Sequence, residues 1–416
     1  TTLLVSGGGV VGALGTSKEG EGHVVAIGAS AVVLAAGGHT ALYTRSSSRK
    51  NENTGDAAAL AYEAGAQLRD MEFVQFHPTG MVKPEDMSGR LVTEAVRGEG
   101  GQLLNRDGER FMTRYSPERM ELDARDVVAR AIYRELKEGR GTESGAVLLD
   151  ISHRDRSFIQ ERLPEMLEQF KTLGVDITEE AMEVAPTAHY AMGGVKVDFK
   201  TGATGVEGLF AVGEATGGLH GANRLGGNSL AETVVFGQLT GAHLAGSLKG
   251  APARPLDESL LREHLASLAA LTGEGKHDPD DVIDELRELL WHHAGISRSE
   301  GELQRGLAGL ADIAKKASSL SFEPGLCGPG FEAAMNLKFM LLVGESILRG
   351  ALMRKESRGA HYREDAPERD PRWQKTIVYA NRDGEMALWT EEVGEIHPEV
   401  QKAVDEEHSL AYHHLE

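Results

Sequence analysis

The sequence contains a single cysteine, Cys327, in 416 residues. One thiol excludes an intrachain disulfide framework, and it excludes an iron–sulfur cluster held by cysteines of this chain alone. Basic residues are also few, with 44 Lys and Arg against 64 Asp and Glu and a net charge of −20. Such a charge repels nucleic acid and anionic membrane surfaces at long range, so nucleic acid is not expected as a partner.

Long apolar runs are missing as well. No stretch approaches the roughly 20 apolar residues of a membrane span, so no direct span is expected. The chain does not begin with Met, and its first residues resemble a strand, TTLLVS. We therefore expect a fragment or a processed product.

Glycine is abundant, at 51 residues, and Gly7, Gly9 and Gly12 spell G-x-G-x-x-G. A dinucleotide-binding loop of this pattern must be followed at once by a helix, whose N-terminus favours phosphate. The following residues instead predict a turn at Lys18–Gly22 and short strands at His23–Ile27 and Ala31–Ala35. We interpret the cluster as a glycine-rich turn between strands.

Further along, alternating patterns predict an α/β chain with an inserted domain and a helical bundle. A helix is expected in TGDAAALAYEAGA, two helices in the insert, a helix entered after Asn228, and four helical segments between 252 and 357. The two helices of the insert are ARDVVARAIYRELKEG and RSFIQERLPEMLEQFKTLG, and an alternating strand-like stretch follows near TIVYA.

Two stretches combine glycine with chemically active side chains. In EFVQFHPTG, His77 follows an apolar run and precedes Pro78, so it is expected at a strand end, pointing into a cleft. In LVTEAVRGEGG, Thr93, Glu94 and Arg97 lie within one turn's reach. Taken alone, these patterns are more typical of a structural histidine and a solvated loop.

Three further stretches also contain chemically active side chains. In ELDARDVVARAI, Asp123 is expected to cap a helix that carries Arg125 in its first turn, where a cation opposes the helix dipole. PTAHYAMGG places His189 before a glycine pair. The glycine-rich segment GEATGGLHGANRLGGNSL suits a flat or phosphorylated ligand, and it contains Glu214, His220, Asn223, Arg224, Ser229 and Leu230.

In order and rough spacing, HPTG, LVTEAVRGEGG, ARDVVARAI, PTAHYAMGG, GEATGGLHGANRLGGNSL and ESRGAHYRED resemble the succinate dehydrogenase/fumarate reductase flavoprotein subunit family over nearly the whole chain. L-aspartate oxidase is the nearest relative of that family. The resemblance implies a partial FAD-binding Rossmann-like domain at 1–69, a capping domain at 70–188, and a returning FAD-binding segment at 189–248. A helical domain at 249–357 and a small C-terminal domain at 358–416 would follow.

The resemblance also implies FAD as cofactor and roles for particular residues. FAD contacts would be Asp56, Glu214, Ser229 and Leu230, and substrate contacts would be His77, Thr93, His189 and Arg224. Arg125 would exchange a proton with the substrate, and Glu94 and Arg97 would link it to solvent. Hydride would pass between flavin N5 and the substrate as succinate and fumarate interconvert. A guanidinium is an unusual acid, because arginine normally keeps its proton.

Partners are implied in the same way. An iron–sulfur subunit would exchange electrons with the flavin, and a membrane-anchor subunit would hold the cytoplasmic complex at the inner face of a membrane. Family members also carry a phosphate-binding loop upstream of the residues that match Thr1, so retention of FAD by this chain alone is an open question. Two alternatives therefore remain: an L-aspartate oxidase, or a catalytically silent chain that retains a dicarboxylate-lined cleft or a docking surface.

Overall fold

The computed structural model describes residues 2–17, 23–250, 254–269, 274–323, 325–394 and 398–405. Its strands are β1 (Thr2–Ser6), β2 (Gly9–Ser17), β3 (His23–Gly28), β4 (Val32–Leu34), β5 (Leu68–Arg69), β6 (Val74–Met81), β7 (Gln102–Leu104), β8 (Val147–Asp150), β9 (Met182–Ala191), β10 (Gly194–Val195), β11 (Leu209–Ala211), β12 (Lys375–Arg382) and β13 (Glu385–Glu392).

Its α-helices are α1 (Asp56–Glu63), α2 (Glu94–Gly98), α3 (Met112–Tyr115), α4 (Arg125–Lys137), α5 (Arg156–Arg162), α6 (Pro164–Thr172), α7 (Asn228–Ser247), α8 (Glu258–Ala269), α9 (Pro279–His293), α10 (Glu300–Ala317), α11 (Pro329–Met353) and α12 (Pro398–Asp405). The four predicted helices between 252 and 357 are α8 to α11, and the helix after residue 228 is α7. Both predictions are confirmed.

The opening glycine cluster forms the turn of a β-hairpin. Strands β1, β2 and β3 make an antiparallel sheet, and Gly7 and Gly8 connect the first two with φ of 59° and 82°. These left-handed conformations suit glycine, because a Cβ atom would be strained there. Strand β2 follows the cluster directly, which confirms that it is a glycine-rich turn between strands. The predicted turn at Lys18–Gly22 lies outside the described residues.

A short parallel pair places the cofactor-related segments together. Strands β4 and β11 pair in parallel, and both run in the same direction into turns, at Gly37-Gly38 and at Glu214. The carboxyl edge of parallel strands is where α/β proteins bind ligands. Helix α7 follows, and within it only Glu232 and Thr240 are buried.

Strands β6, β9, β8 and β7 form a four-stranded antiparallel sheet in the predicted insert. Helix α4 packs on it, and the shared core includes Val128, Ile132, Leu149 and Val184. The second helix predicted in the insert is two helices, α5 and α6. Helix α5 ends before Leu163, because Pro164 has no N–H to continue the ladder and instead begins α6.

A third sheet joins distant parts of the chain in the order β10-β5-β12-β13, and β12 and β13 confirm the strand-like stretch predicted in the tail. Helices α9, α10 and α11 form the bundle, whose core residues Leu286, Leu303, Val343 and Ile347 belong to the largest hydrophobic cluster of the described chain. The domain boundaries stay a prediction. Strand β9 extends on both sides of the domain boundary expected between residues 188 and 189.

The helices of the described residues fall short of a membrane span. None of them is both long enough and apolar enough to cross a bilayer.

The predicted insert has a polar anchor at Glu135 of α4. Its buried carboxylate accepts hydrogen bonds from Arg140 Nε at 2.7 Å, Arg114 Nη2 at 3.0 Å and Tyr115 Oη at 2.7 Å. Burial by itself would raise the pKa of Glu135, but the bonds from Arg140 and Tyr115 lower it to about 2. The carboxylate therefore stabilises the fold in its ionised form.

We expect Glu135→Ala to lower the free energy of unfolding by about 3 kcal/mol, because it leaves two guanidiniums without their shared partner. Since the folded pKa lies below the unfolded value of about 4.3, this contribution is complete above that pH and is lost as the pH falls toward 2. Urea unfolding followed by circular dichroism at pH 7 and pH 3 measures both effects. Glu138→Ala removes an exposed partner of Arg140 and should cost less than about 1 kcal/mol; equal losses in the two variants would contradict the prediction.

Candidate functional site

Two buried histidines meet at irregularities of neighbouring strands. His77 lies inside β6 and not at a strand end as predicted, because the strand continues through a bulge that accommodates Pro78 and Thr79. His189 occupies a second bulge, in β9, between the residues that pair with Gln75 and Phe76. Bulges re-aim side chains, and here the two imidazole rings approach with centroids 5.5 Å apart.

The surroundings keep both imidazoles neutral. Burial, then the charges of Arg125 and Arg97, hold the pKa of His77 well below its usual range, and burial followed by Arg224 lowers that of His189 to about 3. The Thr79 backbone N–H donates to His77 Nδ1 at 3.3 Å, so the proton of this ring resides on Nε2. Both rings are therefore neutral hydrogen-bonding groups at physiological pH.

Arg125 begins α4, as predicted, but Asp123 is not its cap. Ala124 is the N-cap residue, and the Asp123 carboxylate instead binds the Ala124 N–H at 2.7 Å and the Ser116 hydroxyl at 2.7 Å. The guanidinium of Arg125 is oriented by Glu94, whose Oε2 accepts from Nε at 3.0 Å and from Nη2 at 2.5 Å. The unfavourable position at a helix N-terminus is thus offset by a carboxylate.

Glu94 also contacts the second predicted shuttle residue. Its Oε1 lies 3.6 Å from Nη2 of Arg97, so the carboxylate stands between two guanidiniums. Arg97 is buried and donates through Nη1 to the Glu121 carbonyl at 2.5 Å. Thr93 precedes them as the exposed N-cap of α2, where its hydroxyl accepts from the Ala95 N–H at 3.3 Å. Thr93, Glu94 and Arg97 therefore lie within one turn at the start of α2, as predicted.

Arg224 comes from the glycine-rich segment and is 4% exposed. Its guanidinium donates to Gln75 Oε1 at 3.3 Å and to Ser229 Oγ at 3.2 Å, and it lies over the Tyr190 ring. Its Nε is buried and has no hydrogen-bond partner among the described residues. A buried donor without a partner costs free energy until a ligand supplies an acceptor.

One glycine of RLGGN permits the close approach of this segment to the arginine pair. A Cβ atom at Gly226 would lie 3.1 Å from Arg125 Nη2 and 3.3 Å from Glu94 Oε2. Those distances are tighter than ordinary van der Waals contact, so a side chain here would displace the pair. The glycine-rich loop thus packs against the Arg125–Glu94 pair, beside the cluster that His77, His189, Arg125 and Arg224 form.

The residues predicted to contact FAD are distributed around the ends of β4 and β11. Glu214 is buried, accepts from the Ala191 N–H at 3.0 Å, and lies so close to Gly38 that a Cβ there would come within 2.5 Å of Oε1. The Gly38 carbonyl accepts from the Gly55 N–H at 3.1 Å, which places Asp56 beside the same turn. Burial raises the pKa of Glu214 to about 7.

Ser229 and Leu230 lie in the first turn of α7, where the Leu230 side chain is 76% exposed. Further along the helix, Val234, Val235 and Leu239 are exposed as well. An apolar surface beside a helix N-terminus and a side-chain-free turn suits a flat, polar-edged ring system. These residues fit FAD, and the Arg224–Ser229 bond joins them to the buried guanidinium of Arg224.

Sequence patterns alone missed two supporting residues. Gln75, which is fully buried, accepts from Arg125 and Arg224 and donates to the Arg224 carbonyl at 2.7 Å. Ser47 lies 3.0 Å from His189 Nδ1 and fixes the position of that ring. The position of Gln75 between apolar residues in EFVQFHPTG was a usable signal, because a buried amide needs partners; Ser47, in a polar stretch, gave none.

Comparison with known proteins agrees with this site. Residues 1–230 match the family model for the FAD binding domain, and residues 283–403 match the one for the fumarate reductase flavoprotein C-term. The chain is 48% identical over 379 residues to a fumarate reductase (CoM/CoB) subunit of Methanothermobacter marburgensis, covering 91% of this chain and 68% of that protein.

Two further proteins extend the comparison. L-aspartate oxidase 2 of Ralstonia nicotianae is 40% identical, over 87% of this chain and 63% of its own length. The solved structure of Mycobacterium smegmatis Sdh1 in complex with UQ1 superposes with a TM-score of 0.85 at 41% identity, covering 97% of this chain and 69% of that one. The chain spans about two thirds of the length of these relatives. It belongs to the fumarate reductase/succinate dehydrogenase flavoprotein family of FAD-dependent oxidoreductases.

Proposed function

We propose that this chain, with FAD, interconverts fumarate and succinate in the cleft formed by His77, His189, Arg125 and Arg224. The observation that carries the proposal is the convergence of two neutral imidazoles and two guanidiniums, all buried or nearly so, in one cluster. A small dicarboxylate offers four oxygen acceptors to these donors.

The charges of the cleft match a dianion. Arg97, Arg125 and Arg224 contribute three positive charges, and Glu94, which contacts two of them, contributes one negative charge. Arg125 also lies near Arg224, and burial followed by the charge of Arg125 lowers the pKa of Arg224. Two substrate carboxylates would bring negative charge to these guanidiniums and supply the acceptor that Arg224 Nε lacks within the described residues.

His77 orients the substrate as a donor and not as a cation. With Nδ1 engaged by Thr79, its Nε2–H is available to a carboxylate oxygen. His189 is held similarly by Ser47 on its Nδ1 side. Clamping both ends of the substrate fixes its two central carbons relative to the residues of the cleft, which is the positional part of catalysis.

FAD, when bound, supplies or accepts hydride in such a reaction. Asp56, Glu214, Ser229 and Leu230 would hold it, as the turns at the ends of β4 and β11 and the start of α7 suggest. The chain's own contribution to the chemistry is the proton. We assign Arg125 as proton donor and acceptor, with Glu94 in contact with both Arg125 and Arg97 to restore its protonation.

The same residues favour the dicarboxylate over aspartate. An aspartate substrate carries an ammonium group, which calls for an acidic partner. The carboxylate that reaches the arginines of the cleft is Glu94, and both of its oxygens already face guanidiniums. The L-aspartate oxidase function is therefore the second candidate, supported by sequence similarity and not by the cleft.

We further propose two partners for the chain. One carries iron–sulfur clusters, and the other is a membrane anchor that holds the complex peripherally on the cytoplasmic side of a membrane. The single cysteine supports a separate iron–sulfur subunit for electron transfer, because an all-cysteine iron–sulfur cluster needs several thiolates.

The purified chain should retain flavin after incubation with FAD and gel filtration, and fumarate should shift the flavin absorption bands. Oxidation of reduced viologen on adding fumarate, and reduction of a dye on adding succinate, would then report turnover in the two directions. Oxygen uptake dependent on aspartate, without dye reduction on adding succinate, would favour the second candidate. A colourless protein would favour the catalytically silent alternative for these 416 residues.

A further inference from the structure

A buried carboxylate lies behind Arg224, on the side of Tyr190. Glu232 is one of the two buried residues of α7, and its side chain is 2% exposed. Glu232 Oε2 accepts from Tyr190 Oη at 2.5 Å and lies 2.8 Å from His220 Nε2, while Oε1 lies 3.5 Å from the Thr216 hydroxyl. A phenol, an imidazole and a hydroxyl thus surround the carboxylate. Burying a charged carboxylate costs free energy, which such partners offset in part.

Tyr190 connects this carboxylate to the substrate arginine. The Arg224 Cζ atom lies 4.5 Å from the centroid of the Tyr190 ring, within the range of a cation–π interaction. Burial, then the hydrogen bond to Glu232, raises the pKa of Tyr190 far above its ordinary value, so the phenol keeps its proton and remains a donor. A phenol that donates to a carboxylate becomes more electron-rich, which strengthens its attraction for a cation on its face.

His220 completes the arrangement. Its ring packs edge-on against Tyr190 with centroids 5.4 Å apart, while its Nε2 contacts the same Glu232 oxygen as the phenol. His220 and Arg224 belong to one glycine-rich segment, HGANRLGGN, so the imidazole fixes that segment relative to α7. Tyr190 therefore contacts the Arg224 guanidinium, while Glu232 and His220 contact Tyr190.

We propose that Glu232 is a positioning residue for substrate binding, which acts on Arg224 through Tyr190, with His220 aligning the carboxylate. This inference rests on the proposed function, in which Arg224 binds a carboxylate of the substrate. Substrate affinity then depends on the charge of Glu232, although Glu232 contacts neither the substrate nor Arg224.

The test is a binding cycle on the full chain, with succinate as the probe and calorimetry as the measurement. Tyr190→Phe keeps the ring and removes the link, and Glu232→Gln keeps the shape and removes the charge. Each should raise the Kd for succinate by roughly fivefold. The double variant should be no weaker than the weaker single variant, because the two residues act in series.

Two controls separate positioning from general damage. Tyr379→Phe removes a matched buried bond, from Tyr379 Oη to Glu72 Oε2 at 2.9 Å, in another sheet, and it should leave the Kd unchanged. In an Arg224→Ala background, Glu232→Gln should have no further effect on the Kd. Thermal unfolding of every variant shows whether it is folded at the titration temperature.

Three results would overturn the inference. Unchanged affinity in both single variants would show that the link carries no binding energy. A fivefold effect that persists without Arg224 would show that Glu232 acts on the fold in general. Failure of the unsubstituted chain to bind succinate would instead reject the proposed function, and the inference with it; flavin retention and the response to aspartate identify that case.

Discussion

Arg125→Lys is expected to lower the rate of fumarate reduction at least about 1000-fold, while the Kd for fumarate changes by less than about threefold. Lysine preserves the positive charge that attracts the substrate. It cannot reproduce the fork that contacts Glu94 through Nε and Nη2 and Gln75 through Nη1. The proton therefore loses its path to the substrate, although the cleft keeps its net charge.

Steady-state turnover with reduced viologen, combined with fumarate titration of the flavin spectrum, separates the rate from the affinity. Arg134→Lys is the matched control, because Arg134 lies on the same helix and donates to the Tyr362 hydroxyl at 3.0 Å, with no hydrogen bond to the described residues of the cluster. A loss of affinity as large as the loss of rate would show that Arg125 binds substrate and would remove it from the proton-transfer role.

Arg224→Ala is expected to raise the Kd for succinate and fumarate by roughly 100-fold, which corresponds to the loss of a charge-assisted pair of hydrogen bonds. The substitution also removes the buried donor Nε, which has no partner among the described residues. The binding energy is lost before the chemical step, so kcat at saturating substrate should fall much less than kcat/KM.

The outcome is read by calorimetric titration and by the dependence of rate on substrate concentration. Arg224→Lys should recover part of the affinity, because it restores the charge without the fork. If Arg224→Ala instead lowered kcat at saturation as strongly as Arg125→Lys, the division between a binding arginine and a proton-transferring arginine would be wrong.

Local sequence patterns predicted the helices well because helical periodicity is a local property. The bundle helices and α7 have long amphipathic or apolar stretches, and the opening glycines were correctly separated from a cofactor loop by the strands around them. The errors arose where one residue decides the outcome. Pro164 divides one predicted helix into α5 and α6, and the N-cap residue of α4 is Ala124 and not Asp123.

The site was harder to predict from patterns because its contacts connect distant parts of the chain. Gln75 and Arg224 are 149 residues apart, and Ser47 and His189 are 142 apart. Family resemblance supplied the residues proposed to bind substrate; the structure brings His77, His189 and Arg224 close to Arg125, while their roles stay proposals. Residues that act through others, such as Tyr190 and Glu232, carry no local signal, since a tyrosine in a strand and a glutamate in a helix are ordinary features.

The guanidiniums of Arg97, Arg125 and Arg224 lie inside a chain whose net charge is −20. A dianionic substrate of the kind proposed above is therefore repelled by the acidic surface of this chain and attracted only within about 8 Å of the guanidiniums at physiological ionic strength. Dissolved salt screens the outer repulsion first, whereas the guanidiniums, shielded from water, keep their attraction. Capture of the substrate is thus governed by the local field of the arginines, and the acidic surface acts as a barrier that ordinary cellular salt largely removes.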